Sequence, residues 1–203
     1  MIGAFYEDSL SGRSVTIEYA DGRVRPLTSA RWLRPIEGDD HILARCEGPT
    51  LDVGSGPGRL TVALTRMGIP VLGIDISPLA VSLTRSAGGP ALLRSVFDPL
   101  PGIGRWSETL LADGNIGIGG DPAVLLRRLR ELLRPGGAVI AELSPPGTRS
   151  GMERLRLRQG DRVEGWFPWA TVSADDIGLF GRRCGFPAVE RWDVAGRWFA
   201  TMS

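Results

Sequence analysis

A glycine-rich turn between an apolar run and an amphipathic segment constrains this chain most. Residues 50–53 (TLDV) suit a short buried strand, and Gly54, Gly56 and Gly58 follow at once. From 59 to 67 the apolar side chains recur at helical spacing. Glycines at the carboxyl end of a strand let the backbone approach a ligand where any Cβ atom would collide. The segment therefore predicts a strand, a ligand-binding turn and a helix.

The alternation of strand and helix continues along the chain. Ser77 and Asp121, each followed by proline, read as helix N-caps, and Ser173 with an acidic residue three positions on predicts a helix ending at Gly185. Further strands are predicted at 70–74, 91–97, 109–112, 138–143, 189–194 and 198–202. This order predicts an α/β fold with a seven-stranded, mostly parallel, doubly wound sheet whose last strand is antiparallel.

Two segments lie outside this alternation. Residues 14–27 alternate apolar and polar side chains around an Asp-Gly pair, which predicts a hairpin, and Asp39 is placed to cap a short helix. Residues 147–172 form an insertion between the fifth strand and the last helix. We therefore expect one domain over 1–203, with an N-terminal hairpin and helix in 1–48.

Composition excludes several classes of site. All 24 basic residues are Arg, so neither a phosphate-binding GxxxxGK[ST] loop nor a Schiff-base lysine is possible. The single histidine, His41, and the distant Cys46 and Cys184 match no metal-ligand spacing, so we expect no metal and two buried, reduced thiols. A net charge of +1 argues against nucleic acid as a partner. Without a signal peptide or a long apolar run, a cytoplasmic protein without a membrane partner is expected.

The spacing of the glycines separates two classes of cofactor. A dinucleotide fingerprint needs a third glycine where Arg59 stands, whereas D-x-G-x-G-x-G over 52–58 resembles motif I of the class I S-adenosylmethionine-dependent methyltransferases. Further segments resemble the family's later motifs in order: 73–77 (GIDIS), 96–101 (VFDPLP), 111–115 (LADGN) and 132–137 (LLRPGG). Over 50–143 the chain is thus similar to this family, which implies its fold and S-adenosylmethionine as cofactor.

The resemblance also implies a role for each residue that matches a motif. Ser95 stands where many members place the Asp that receives the adenine amino group, unless a one-residue shift brings in Asp98. The implied binding roles are turn support by Asp52, methionine binding by the backbone of Gly54, Ser55 and Gly56, ribose binding by Asp75, adenine packing by Ile76, Val96 and Phe97, and contact with the methionine end by Ala112 and Asp113.

The acceptor side is described by position only. Methyl transfer is an in-line displacement, so the protein mainly aligns the acceptor and excludes water. Where a base is needed, the catalytic candidates are Tyr6, Asp113 and Asn115, whereas His41 among acidic neighbours reads as a surface residue. In this family the N-terminal segment and the insertion often roof the acceptor pocket, which implies residues 1–20 and 147–172 here.

Two patterns in the insertion leave alternatives open. The aromatic run at 165–169 (GWFPW) either walls an apolar acceptor pocket or packs the insertion onto the domain. Arg154, Arg156 and Arg158 share one face of a strand and either grip an acidic substrate or face solvent.

The sequence therefore predicts S-adenosylmethionine-dependent methyl transfer to a small organic molecule. A Pro-Pro pair occurs only after the fifth strand and without the aromatic residue of base-amino methyltransferases. The Arg-only, Gly-rich composition suggests a bacterial genome of high GC content and, by analogy alone, secondary metabolism. The main alternative is an enzyme of the same fold that binds the cofactor but catalyses a non-methylating step such as cyclisation. A nicotinamide-dependent oxidoreductase and a non-catalytic binding module rank behind it, and the oligomeric state stays open.

Overall fold

The computed structural model describes residues 3–203, and two β-sheets organise them. The strands are β1 (Thr16–Tyr19), β2 (Val24–Pro26), β3 (Thr50–Val53), β4 (Val71–Asp75), β5 (Ala91–Leu93), β6 (Trp106–Leu111), β7 (Leu133–Leu143), β8 (Gly151–Gln159), β9 (Arg162–Val163), β10 (Phe167–Thr171), β11 (Val189–Val194) and β12 (Arg197–Met202). The α-helices are α1 (Ala4–Leu10), α2 (Asp39–Leu43), α3 (Arg59–Arg66), α4 (Pro78–Ser86), α5 (Pro122–Leu132) and α6 (Ile177–Arg183). Two 3-10 helices span Ser29–Leu33 and Asn115–Gly117. Among these helices, none is long and apolar enough to cross a membrane.

The larger sheet has seven strands in the order β11-β12-β7-β6-β3-β4-β5. Its strands are parallel except β12, which pairs antiparallel with both β7 and β11. The predicted fold class is thereby confirmed. Because parallel strands end on the same side, the carboxyl ends of β3, β4, β6 and β7 meet along one edge of this sheet.

The second sheet joins the two segments that lie outside the alternation. Its strands run β10-β8-β1-β2, with β9 added to β8, and all pairs are antiparallel. The register places Ile17 opposite Leu157, and both are buried in a small core with Phe5 and Phe167. The N-terminal hairpin and the insertion, about 140 residues apart, therefore fold as one layer.

The predicted strand over 91–97 is too long. β5 ends at Leu93, and the chain then forms a turn in which Asp98 Oδ2 accepts from the Ser95 amide at 3.0 Å. The Phe97 amide donates to Ser95 Oγ at 3.2 Å. Side chains that hydrogen-bond to nearby backbone compete with the strand ladder, which explains its early end.

The N-caps predicted before a proline are confirmed, whereas those predicted at Asp39 and Ser173 are not. Ser77 and Asp121 accept hydrogen bonds from the first turns of α4 and α5, as predicted. Asp39, however, is the first residue of α2 rather than its N-cap, and its carboxylate accepts from the Ile36 amide at 2.8 Å. The last helix begins at Ile177 because the Ser173 hydroxyl accepts from the Asp175 amide and closes a turn instead.

Replacing Gly58 by Ala should destabilise the protein more than a left-handed backbone alone explains. Gly58 has φ +90°, and a methyl group there would lie 2.6 Å from Thr84 Oγ1. We expect about 1–2 kcal/mol from the backbone conformation and about 1–3 kcal/mol more from overpacking, measured by urea unfolding. The control is Gly68→Ala, since Gly68 has φ +76° but no atom within 4 Å of the added methyl group. Equal losses in the two variants would contradict the steric argument.

Candidate functional site

A cavity of about 530 Å³ lies between the carboxyl edge of the larger sheet and the second sheet. We call its two sides the floor and the roof. The floor comprises the glycine turn and the strand ends of the larger sheet, with Asp52, Gly54, Gly56, Asp75, Asp113 and Glu142 among its residues. The roof comprises α1, the second sheet and the first 3-10 helix, with Tyr6, Ile17, Trp32, Leu155, Leu157, Phe167 and Trp169 among its residues.

The glycine turn is held by the carboxylate of Asp75 at the end of β4. Asp75 Oδ2 accepts from the Gly56 amide and Oδ1 from the Ser77 amide, each at 2.8 Å. Burial raises the pKa of Asp75, whereas these backbone hydrogen bonds act in the opposite direction. A carboxylate has about four acceptor sites, so two remain for ligand hydroxyls. At Gly56, with φ +55°, a methyl group would lie 3.3 Å from the Tyr6 hydroxyl.

Asp52 supports this turn from within the sheet. Its side chain is buried in β3, and Thr61 Oγ1 donates to its carboxylate at 2.7 Å. Burial raises its pKa to about 6, although the Thr61 hydroxyl favours the charged form. The side chain thus links the strand to α3 on either side of the glycine turn.

Apolar side chains line the end of the cavity beyond Asp75. Ile76 and Phe97 are 43% and 42% exposed, and Val96, which precedes Phe97, is buried. Ser95 lines this end as well. Asp98 does not, because its carboxylate is bound to the Ser95 amide. Of the two alternatives for the predicted adenine contact, Ser95 is therefore the one in the cavity.

Five largely buried charged side chains form a group that sequence reasoning missed. We call it the ionic cluster: Asp39, Arg59, Asp113, Glu142 and Arg197. Arg59 pairs with Asp39 and Asp113. Arg197 pairs with Asp39 and with Glu142, and both of these Arg197 pairs measure 2.9 Å. The Asp113 amide also donates to Glu142 Oε2 at 2.7 Å. Three of the five residues drew attention in the sequence for separate reasons, and no pattern there joined them.

The carboxylates of the ionic cluster differ in their electrostatic surroundings. Burial raises the pKa of Asp113, even though Arg59 favours its charged form. For Asp39, burial is outweighed by hydrogen bonds from Arg59, the Ile36 amide and Arg197, and its pKa is lowered. Asp113 and Glu142 line the cavity and Asp39 does not. Asp39, whose pKa is lowered, thus lies outside the cavity, whereas Asp113, whose pKa is raised, lines its floor.

Tyr6 lies over the glycine turn, in surroundings that favour its protonated form. Its pKa is strongly raised, chiefly by burial and then by the nearby charges of Asp75, Asp113 and Glu7. A phenol that keeps its proton can donate a hydrogen bond but cannot remove a proton from an acceptor. The raised pKa favours Tyr6 as a hydrogen-bond donor in the roof, and its catalytic role stays a prediction.

The other two catalytic candidates both line the cavity and already have partners. The Asp113 carboxylate pairs with Arg59, and its backbone has φ +53°. Asn115 Nδ2 donates to the carbonyl oxygens of residues 53 and 54 at 3.0 and 2.9 Å, which props the glycine turn. Their catalytic roles stay predictions.

The aromatic run in the insertion serves both alternatives considered for it. Phe167 and Trp169 line the cavity, with their rings edge to face at 6.4 Å between centroids. Phe167 also packs with Phe5 and Ile17 in the core of the second sheet. Trp166 instead lies against the guanidinium group of Arg156, 4.5 Å from the ring centroid. The run thus walls the cavity and also packs the insertion.

Two of the three arginines on one face of β8 form ion pairs with the neighbouring strand. Arg156 and Arg158 both pair with Glu18 on β1, at 2.7 and 2.8 Å. None of the three arginines lines the cavity, and Arg154 is exposed. The hypothesis that this face grips an acidic substrate is therefore wrong, and the two paired residues join β8 to β1.

The remaining candidates for metal or acid–base chemistry lie outside the cavity. His41 is about half exposed, as its sequence context predicts. Cys46 and Cys184 are buried and free, and burial raises the pKa of Cys46 to about 12. In residues 3–203 no group of three or more His, Cys, Asp or Glu side chains is arranged to hold a metal ion.

Comparison with known proteins matches the glycine turn and its surroundings to methyltransferases. Residues 51–102 match a methyltransferase domain family. An ATP synthase lysine N-methyltransferase of Mus musculus is 29% identical over 115 residues, 53% of this chain and 44% of that protein. The ubiquinone biosynthesis O-methyltransferase of Cereibacter sphaeroides (strain KD131) is 25% identical over 152 residues, 70% of this chain and 61% of that protein. The chain thus covers less than two thirds of either relative.

A solved structure extends the likeness to almost the whole chain. A methyltransferase from Bacteroides fragilis, in complex with S-adenosylhomocysteine, aligns with a TM-score of 0.79 and 22% identity, covering 94% of this chain and 87% of that one. The fold is that of class I S-adenosylmethionine-dependent methyltransferases, and the resemblance predicted from the sequence is confirmed. These matches also agree with the predicted enzyme class and cofactor.

Replacing Asp52 by Asn should remove a stability loss between about pH 4 and pH 6. The pKa of its carboxyl group is 3.8 when solvated and about 6 when buried, so the folded protein binds the extra proton in that interval. The stabilisation is complete below the unfolded pKa and is lost as the pH rises through the folded one. We therefore compare the free energy of unfolding of Asp52→Asn with that of the wild type. This difference should shift in favour of the variant by up to about 3 kcal/mol between pH 4 and pH 7.

The measurement for Asp52 is urea unfolding at several pH values. The exposed Asp161→Asn serves as the control and should follow the wild-type profile. If the stability of Asp52→Asn and that of the wild type varied with pH in parallel, burial would not shift the pKa of this carboxyl group.

The Tyr6 phenol should ionise only when the protein unfolds. The chain has two tyrosines, so in Tyr19→Phe the ultraviolet absorbance of phenolate reports Tyr6 alone. During alkaline titration we expect that absorbance to rise together with the loss of circular dichroism, because burial and nearby carboxylates disfavour the phenolate. Phenolate absorbance in a protein that keeps its native circular dichroism would contradict this expectation and would favour the predicted role of Tyr6 as a base.

Proposed function

We propose that the protein is an S-adenosylmethionine-dependent methyltransferase that acts on a small organic molecule. The observation that carries the proposal is one cavity that contains both the glycine turn with Asp75 and an apolar roof. Catalysis of this kind needs a cofactor and an acceptor held together away from water. In this proposal the floor binds the cofactor and the roof binds the acceptor.

The residues of the floor fit the proposed cofactor in shape and charge. Gly56 leaves room that a side chain would fill, and Asp75 keeps acceptor sites for ribose hydroxyls. S-adenosylmethionine has a net positive charge, since its sulfonium adds to a zwitterionic amino acid. The ionic cluster holds three carboxylates and two guanidinium groups, a formal excess of one negative charge. The predicted binding residues stand in this proposal, with Ser95 at the adenine end.

When bound, the cofactor supplies a methyl group on sulfur that a nucleophile can attack. This chain's residues hold and align the two ligands and exclude water from between them. Tyr6 keeps its proton and can hydrogen-bond to an acceptor, and Asp113 is held by Arg59. With both groups so engaged, the site suits an acceptor atom that attacks without losing a proton to the protein, such as a neutral amine or an already ionised oxygen or sulfur.

The proposal also covers the domain organisation, the location, the metabolic role and the partners of the protein. A single domain over 1–203, a cytoplasmic location, a role in bacterial secondary metabolism and the absence of nucleic-acid and membrane partners are supported by composition and near-zero net charge. A non-methylating reaction on the same fold ranks second, because the relatives and structures matched are named as methyltransferases. It would give product without demethylated cofactor.

Calorimetric titration with S-adenosylmethionine, S-adenosylhomocysteine and NADH tests the cofactor. We expect the two adenosyl ligands to bind and NADH not to bind. Asp75→Ala should weaken their binding by more than about tenfold, or roughly 1.4 kcal/mol, because ribose hydroxyls lose their acceptor. Asp161→Ala is the control, since its carboxylate is exposed and lies outside the cavity. Circular dichroism of both variants checks the fold, and NADH binding or an unaffected Asp75→Ala would overturn the proposal.

A further inference from the structure

One wall of the cavity carries positive charge without any carboxylate of its own to balance it. The segment from 25 to 32 (RPLTSARW) contributes Arg25, Leu27, Thr28, Arg31 and Trp32 to the cavity lining. It contains no acidic residue. We call Arg25 and Arg31 the arginine pair; the first lies on β2 and the second on the 3-10 helix beside Trp32.

The arginine pair differs from the other arginines around the site. Arg59 and Arg197 belong to the ionic cluster, and Arg156 pairs with Glu18. Within residues 3–203, neither Arg25 nor Arg31 forms an ion pair with a carboxylate. Arg25 Nε donates to the Tyr19 hydroxyl at 2.7 Å, which braces the side chain and leaves its two terminal nitrogens as donors.

The carboxylates that line the cavity lie on the other side. They are Asp52, Asp75, Asp113 and Glu142, and each of the four belongs to the floor. Arg94 also lines the cavity, beside Ser95 at the adenine end, and donates to the carbonyl of Leu93. The acceptor side of the cavity is thus positive and the cofactor side negative.

We propose that the acceptor is a small organic anion with an apolar or aromatic body, and that Arg25 and Arg31 bind its anionic group. The inference rests on the proposed function. The body would contact Trp32, which follows Arg31, and Ile17 and Leu157, which the strand register places in a row with Arg25. The floor repels the anionic group and the arginine pair attracts it, so this charge separation orients the acceptor with the end opposite that group towards the cofactor. Guanidinium groups suit this task because their fork geometry matches carboxylate, sulfonate and phosphate oxygens.

A matched pair of fluorescent probes tests the inference without knowledge of the natural acceptor. The anionic probe 1-anilinonaphthalene-8-sulfonate and the neutral N-phenyl-1-naphthylamine share one ring system and differ by the sulfonate. Both are titrated into protein saturated with S-adenosylhomocysteine. Wild type should bind the anionic probe more tightly, and the double variant Arg25→Gln/Arg31→Gln should lose about tenfold or more in that affinity. Binding of the neutral probe and of S-adenosylhomocysteine should not change.

The control is Arg154→Gln, which removes an exposed arginine outside the cavity and should leave both probes unaffected. The inference is overturned if the anionic probe does not bind, if its affinity ignores the double substitution, or if both probes weaken equally. Failure of S-adenosylhomocysteine to bind wild type is a separate result that counts against the proposed function. In that case the probe titrations on the ligand-free protein still decide whether the arginine pair binds an aromatic anion.

Discussion

The buried ionic cluster is the interaction on which the arrangement of the site depends. Removing a charged group from water costs several kcal/mol unless partners surround it, and breaking such a pair leaves an uncompensated charge. Arg59 at the start of α3 meets Asp39 on α2 and Asp113 after β6. Arg197 on β12 meets Asp39 and Glu142 on β7. Helices α2 and α3, strands β7 and β12 and the turn after β6 must therefore all reach their final positions before every one of these charges has its partners.

This requirement links the stability of the fold to the charge of its ligand. The ionic cluster keeps a formal excess of one negative charge, and Asp113, the carboxylate at the floor, has a pKa raised by burial. A cation bound at the floor would relieve both effects, since an opposite charge favours the ionised carboxylate. In the proposed function the cofactor is that cation. The excess negative charge of the ionic cluster would then both disfavour the ligand-free fold and favour binding of the cofactor.

The parts of the molecule that could be predicted are those encoded over short stretches of sequence. The glycine turn, the Ser77 and Asp121 caps and the strand periodicity each depend on neighbours within a few residues, and the seven-stranded sheet follows from their order. The ionic cluster could not be predicted, because residues 39, 59, 113, 142 and 197 share no pattern and meet only in the folded chain. The same holds for the pairing of the hairpin with the insertion. The end of β5 was missed because side-chain bonds at Ser95 and Asp98 overrode strand propensity.

Helix α1 joins the rest of the roof to the floor through hydrogen bonds. Glu164 in the insertion accepts from the amides of Gly3 and Phe5, at 3.2 and 2.9 Å, so the start of α1 is tied to the second sheet. On the same helix, Glu7 accepts from the Ser77 hydroxyl and the Leu79 amide, at 2.8 and 3.1 Å, just beyond the strand end that carries Asp75. Hydrogen bonds of Glu7 and Glu164 thus connect the chain beyond β4, helix α1 and the insertion in one series. In the proposed function the floor binds the cofactor and the roof contacts the acceptor, so this series of hydrogen bonds joins the two binding regions.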